Sequence, residues 1–220
     1  MKRILVPTDF SEQAENALKV AAQLAKKNES EIYVLNSLEL PTHLSSSGAN
    51  GAMPESLFFI KLAEKYFEEL LEKPYLDGIL IHEAIIGHGE VYKDVKEAVK
   101  EKDIDMIIMG SQGTNGFMEM FIGSNTEKVV RTSNVPVLVI KNNHENFKTE
   151  NFIYATDFSD ECKTPFKQAI KFAEKTNTFI NLLYINTPSS FKTTKEINSK
   201  IKRFLKGMDE TNFNIHIYND

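Results

Sequence analysis

Residues 105–141 read DMIIMGSQGTNGFMEMFIGSNTEKVVRTSNVPVLVIK, and the reading of this stretch decides the fold. It opens on a short apolar run, Met106 to Met109, and closes on a second, Val137 to Ile140. Between them stand Gly110, Gly113, Gly116 and Gly123, followed by a helical pattern. Short apolar runs separated by a glycine loop and a helix predict strand, loop, helix, strand. Glycine lets backbone N–H groups approach a ligand without a Cβ in the way. A helix N-terminus just downstream adds unpaired donors and the positive end of a dipole, which suits a phosphate chain. Ser124-Asn125-Thr126-Glu127 is also a capping-box pattern, so a plainer reading of Ser124 is as the cap of that helix, a role that can coexist with phosphate binding. The loop lacks the terminal Gly-Lys-Ser/Thr of a P-loop, and its glycine spacing is not that of the Rossmann fingerprint.

Working outward, strand and helix patterns alternate through the first 141 residues. Arg3 to Pro7 is a β-rich run, and Thr8-Asp9-Phe10-Ser11 turns into a helix whose apolar face is Ala14, Ala17, Leu18, Ala21, Ala22, Leu24 and Ala25. Glu31 to Leu38 reads as a second strand and Glu39 to Glu55 as a polar loop. Leu57 to Leu71 has helical periodicity, Ile79 to Ile86 reads as a third strand, and Val91 to Lys100 as a helix. Five strands alternating with helices, each strand short and continuously apolar, predict a doubly wound parallel α/β sheet. Residues 142–150 (NNHENFKTE) are polar and read as a linker.

After the linker the chain repeats itself. Thr156-Asp157-Phe158-Ser159 matches Thr8-Asp9-Phe10-Ser11, and residues 151–186 parallel residues 3–38. A second copy of one unit is implied. It continues through a helical stretch, Lys195 to Gly207, and a third strand, Asn214 to Tyr218, and carries no glycine loop. The expected domains are therefore 1–141, a linker 142–150, and an incomplete second unit 151–220. Its first strand, Phe152 to Ala155, would be central in a whole unit, and we expect its edge to be covered by the first domain or by another chain.

A net charge of −5 leaves no electrostatic footprint for nucleic acid or an anionic membrane. The single cysteine, Cys162, excludes an intramolecular disulfide and fits a reducing compartment. MKRILVPTDF passes straight into a strand with no apolar leader, and no stretch is long enough to span a bilayer, so the cytoplasm is the expected location. No His/Cys/Asp/Glu cluster has metal-ligand spacing, and no residue is assigned a catalytic role.

The pattern Gly110-x2-Gly113-x9-Gly123-Ser124, with Met109 before it and Val-Pro-Val-Leu-Val-Ile after it, resembles the nucleotide-binding signature of the universal stress protein family. The resemblance implies a strand order of 3-2-1-4-5, with ligand bound beyond the carboxyl ends of the strands where the winding reverses. It also assigns roles. Asp9 would recognise adenine, with Pro7 and Thr8 as its wall. Ser37 would line the base, and Met109 and Gly110 would touch base and ribose. Gly113, Gly123, Ser124 and Asn125 would cradle the phosphates of ATP, ADP or AMP. Mg2+ or Mn2+ would be held through those phosphates and water. Strand five, residues 135–140, resembles the family's dimer strand and implies a homodimer.

Each residue also has a plainer reading: Asp9 as a helix cap, Thr8 as a turn residue, Met109 as core. With no cation in the glycine loop to stabilise a transferring phosphate, any ATP hydrolysis should be slow. A stress-response regulator that binds nucleotide is the favoured function. The alternatives are a non-nucleotide interaction module and an enzyme of the related adenine-nucleotide α-hydrolase group, whose Ser-Gly-Gly-type loop Pro7-Thr8-Asp9-Phe10-Ser11 lacks.

Overall fold

A computed structural model describes residues 1–38, 52–86, 89–111, 122–208 and 213–219, the side chains of 52–56 and 84–86 excepted. Gly113 and Gly116 lie outside the described residues. The chain divides into two compact units, Met1–Phe147 and Lys148–Asp220. In the first unit the strands are β1 (Arg3–Pro7), β2 (Glu31–Ser37), β3 (Ile81–Ile86), β4 (Met106–Gly110) and β5 (Val137–Ile140). They form one parallel sheet in the order β3-β2-β1-β4-β5, as expected. Its helices are α1 (Glu12–Asn28), α2 (Ala52–Leu71), α3 (Val91–Glu101) and α4 (Ser124–Thr132).

Both faces of the sheet's centre are covered, which is why β1 and β4 are apolar along most of their length. Leu5, Leu35, Ile107 and Met109 pack with Val95 and Ala98 of α3 and Val129 of α4. Their alternate neighbours Ile4, Val6, Val34 and Ile108 are wholly buried on the opposite face, where α1 lies against β1 and β4. Small buried residues, Ala17, Ala21 and Ala25, let α1 come close to the sheet. Ser11 caps α1 by accepting from the Ala14 amide, and Glu12 and Glu15 in its first turn and Lys26 and Lys27 in its last suit the helix dipole.

Boundaries differ from the sequence reading at several places: β2 ends at Ser37 rather than Leu38, and β3 begins at Ile81 rather than Ile79. The helix expected from Leu57 begins at Ala52, so residues 52–55 are helical rather than loop, and residues 39–51 lie outside the described residues. Pro54 stands in the first turn, where no i−4 hydrogen bond is lost. The expected linker is also tied down along part of its length. Gln23 donates to the His144 carbonyl at 2.8 Å and accepts from the Phe147 amide at 2.6 Å. The units therefore divide after Phe147.

The second unit has β6 (Asn151–Ala155), β7 (Phe179–Asn186) and β8 (Phe213–Asn219), with α5 (Lys163–Thr176) and α6 (Thr194–Phe204). Its strands are parallel and ordered β6-β7-β8 in a separate sheet. One face carries the core, in which Phe158, Phe166, Leu182, Tyr184, Ile197 and Phe204 are buried and Phe152 and Tyr154 pack against them. On the other face Ile153, Ile185 and Tyr218 are exposed. Among the described residues, β6 is paired along one edge only.

Candidate functional site

The site begins at the carboxyl end of β1. Thr8 is buried and continues the ladder by donating its amide to the Leu35 carbonyl at 2.8 Å. Its hydroxyl accepts from the Phe10 amide at 2.9 Å, and Asp9 Oδ1 accepts from the Ser11 amide at 3.1 Å. These two side-chain bonds hold Phe10 at φ 61°, a left-handed conformation that a phenylalanine rarely adopts. Asp9 is exposed at the tip. On the α1 and α2 side of the turn, a cavity of about 130 Å³ is lined by Thr8, Phe10, Ser11, Glu15, Tyr66 and Tyr75 among others. Burial, and then the Glu15 carboxylate, push the Tyr75 phenol above its usual pKa.

β4 runs beside β1, in register at Ile4↔Met106 and Leu5↔Ile107, so Gly110 ends at the same rim as the Thr8–Asp9 turn. Gly110 has a packing reason to be glycine. A Cβ there would lie 2.9 Å from the backbone carbon and oxygen of Gln13 in α1. Met109 buries its side chain in the core against α3 and α4, so any part it plays toward a ligand falls to its backbone.

α4 is clamped to the same rim. The Gly123 amide donates to the Ser111 carbonyl at 2.7 Å, and the buried Thr126 hydroxyl donates to the Gly110 carbonyl at 2.9 Å. The sequence points to Ser124 as the cap of this helix; the structure corrects that. Gly123 is the N-cap, Ser124 is the first helical residue, and among the described residues no side chain caps the end. The chain enters through Gly123 with φ −58° and ψ 147°, which any residue can adopt, so backbone strain does not require glycine here. The amides of the first turn, from Ser124 and Asn125, are left to another acceptor.

β2 adds a group that sequence reading missed. The Asn36 side chain is buried at the strand's end, and its Nδ2 donates to the Thr8 carbonyl at 2.8 Å. Ser37, expected to line the base, donates its hydroxyl to Asp94, a buried carboxylate in α3. The one available signal was the switch from apolar to polar at Asn36 and Ser37, at the end of the strand.

The structure therefore brings Pro7, Thr8, Asp9, Ser37, Gly110, Gly123, Ser124 and Asn125 to the carboxyl-end region of the sheet, around the switch point between β1 and β4. Among the described residues no group of three His, Cys, Asp or Glu side chains could hold a metal ion. No helix there is long and apolar enough to cross a membrane. Cys162 lies in a short 3-10 turn before α5, half-buried rather than in the core, with its Sγ 3.4 Å from Ser159 Oγ.

The first 141 residues match the model of the universal stress protein family. Universal stress protein MJ0577 of Methanocaldococcus jannaschii is 36% identical over 155 residues, covering 64% of this chain and 94% of that protein. Universal stress protein YxiE of Bacillus subtilis is 30% identical over 147 residues, 63% of this chain and 98% of its own. The solved structure of MJ0577 superposes with a TM-score of 0.54 at 31% identity, over 66% of this chain and 98% of that one. A solved universal stress protein from Archaeoglobus fulgidus matches 99% of this chain and 78% of its own with a TM-score of 0.71 and 21% identity, a likeness of fold alone. By its family model and by these relatives, the chain belongs to the universal stress protein family.

Proposed function

We propose that the first unit is an adenine-nucleotide-binding regulatory domain spanning residues 1–141. On this reading residues 142–150 join it to 151–220, an incomplete second unit of the same type. The uncapped N-terminus of α4, clamped at the rim beside the Thr8–Asp9 turn, is the observation that carries the reading. Such an end offers amide donors and a positive dipole to phosphate. Asp9 stands near enough in the topology to take the base while α4 takes the phosphates. Mg2+ or Mn2+ would be held by phosphate oxygens and water, its role being to neutralise their charge. No side chain of the turn or of α4's first residues is placed as a general base, so hydrolysis would be slow or absent, and the protein's role in stress would rest on binding.

The second unit favours a different part. Its equivalent turn, Thr156 to Ser159, repeats the hydrogen bonds of the first, with Phe158 at φ 58°. Yet Phe158 is buried and stacks on Tyr184 at 5.7 Å, filling the corner with the protein's own rings. We read it as an interaction unit without a ligand.

Titration calorimetry with ATP and Mg2+ tests the first unit. Gly123→Val should weaken ATP at least tenfold, because the side chain enters the space beside the first-turn amides while the backbone conformation is preserved. Unchanged affinity in a folded Gly123→Val protein would place the phosphates elsewhere.

A further inference from the structure

We infer that Asn36 reads the exocyclic amino group of the bound base and makes the site select adenine over 6-oxopurines; this rests on the nucleotide reading above. Asn36 is 7% exposed, and its two amide atoms are in different situations. Nδ2 is spent on the Thr8 carbonyl, 2.8 Å away. Oδ1 is buried and has no hydrogen-bond partner among the described residues. The orientation is not arbitrary. Flipping the amide would set Oδ1 against the Thr8 carbonyl, acceptor against acceptor, so the bond to Thr8 fixes which atom is left over. A buried acceptor left empty costs free energy, and such groups in folded proteins ordinarily meet a partner. The partner required is an N–H donor at the β1–β2 end of the crevice.

That end is where the base is expected, beside the Thr8–Asp9 turn. Ser37, the neighbouring candidate, donates its hydroxyl to Asp94 on the α3 side. An adenine amino group has two N–H bonds. Asp9 and Asn36 Oδ1, on adjacent strands, can take one each. A 6-oxopurine would instead present a carbonyl oxygen to two acceptors, leaving Asn36 Oδ1 without a donor and repelling both. The second unit supplies a natural contrast. β1 pairs Pro7 with Leu35, and β6 pairs Ala155 with Leu183, so the next residue, Asn36 in one unit, is Tyr184 in the other. Tyr184 turns its ring into the core against Phe158, and no side-chain amide stands at that position. The amide goes with the unit that carries the glycine signature.

The experiment is calorimetry on the full chain with ATP, inosine triphosphate and N6-methyl-ATP. Wild type should bind ATP at least tenfold more tightly than inosine triphosphate, and N6-methyl-ATP, with one N–H left, should fall between them. Asn36→Leu, close in size, should bring the ATP-to-inosine ratio to within about threefold. Equal wild-type affinity for ATP and inosine triphosphate overturns the inference and leaves nucleotide binding intact. So does a folded Asn36→Leu protein with the wild-type ratio. If Asn36→Leu fails to fold, the wild-type series decides, since N6-methyl-ATP binding as well as ATP shows that only one acceptor is used. Binding of none of the three removes the nucleotide reading along with the inference.

Discussion

Gly110 closes β4 at the point where the first turn of α1 passes over it. The missing Cβ would meet main-chain atoms of Gln13, which cannot rotate away as a side chain could. Gly110→Ala should therefore cost about 1–3 kcal/mol, as overpacking does, and shift the urea midpoint downward. A variant as stable as wild type would show that α1 has slack. In the second unit, burial and then Cys162 push the Tyr154 phenol from an ordinary 10.0 up to about 12. The folded protein keeps that proton when the unfolded chain has begun to lose it. The stability this contributes is intact below about pH 10 and falls away as pH rises toward 12. Melting temperatures recorded from pH 9 to 12 should therefore drop less steeply in Tyr154→Phe than in wild type, and parallel curves would contradict the assignment. At neutral pH the same variant loses the 3.0 Å bond to the Cys162 carbonyl, worth on the order of 1 kcal/mol.

Among elements, legibility followed burial. β1, β2 and β4 were plain in the sequence because a strand covered on both faces must be apolar along its length. The start of α2 was not, because Ser, Pro and Gly around it look like loop, while Pro54 in a first turn is harmless. The entry to α4 was misread for another reason. Ser124-Asn125-Thr126-Glu127 is a valid capping box, and only the path of the chain through Gly123 shows that it is shifted one residue into the helix. Asn36 was missed because nothing in its neighbours announces that an amide will bridge two strands. At the far side of the sheet, β5 pairs only with β4 among the described residues, and Val137 to Val139 are half-exposed. We propose that residues 135–140 pair with their counterpart in a second chain. Light scattering should give twice the chain mass. Of Leu138→Pro and Val139→Pro, one removes an outward N–H and should yield monomers. A monomeric wild type would refute this.

For the whole molecule, two units with separate sheets and separate cores are expected to differ in what they bind. The first has the open helix end and the unspent amide oxygen. The second has the same turn, closed by Phe158 on Tyr184. Calorimetry should thus give one adenine nucleotide per chain, and two sites of equal affinity would show that the aromatic pair is no barrier. The repeat could be seen in the letters Thr-Asp-Phe-Ser. Its differing fate could not, since that turned on which residue the register puts one step beyond Leu35 and Leu183.

The margin of β6, unpaired among the described residues, also bears on how the molecule behaves in company. Main-chain donors and acceptors along such a margin, beside the exposed Ile153, are a template that grows wherever a stranger's extended segment lies against it. Crowding should then govern this protein's lifetime in solution more than heat does, with turbidity rising steeply in concentrated samples well below the melting point.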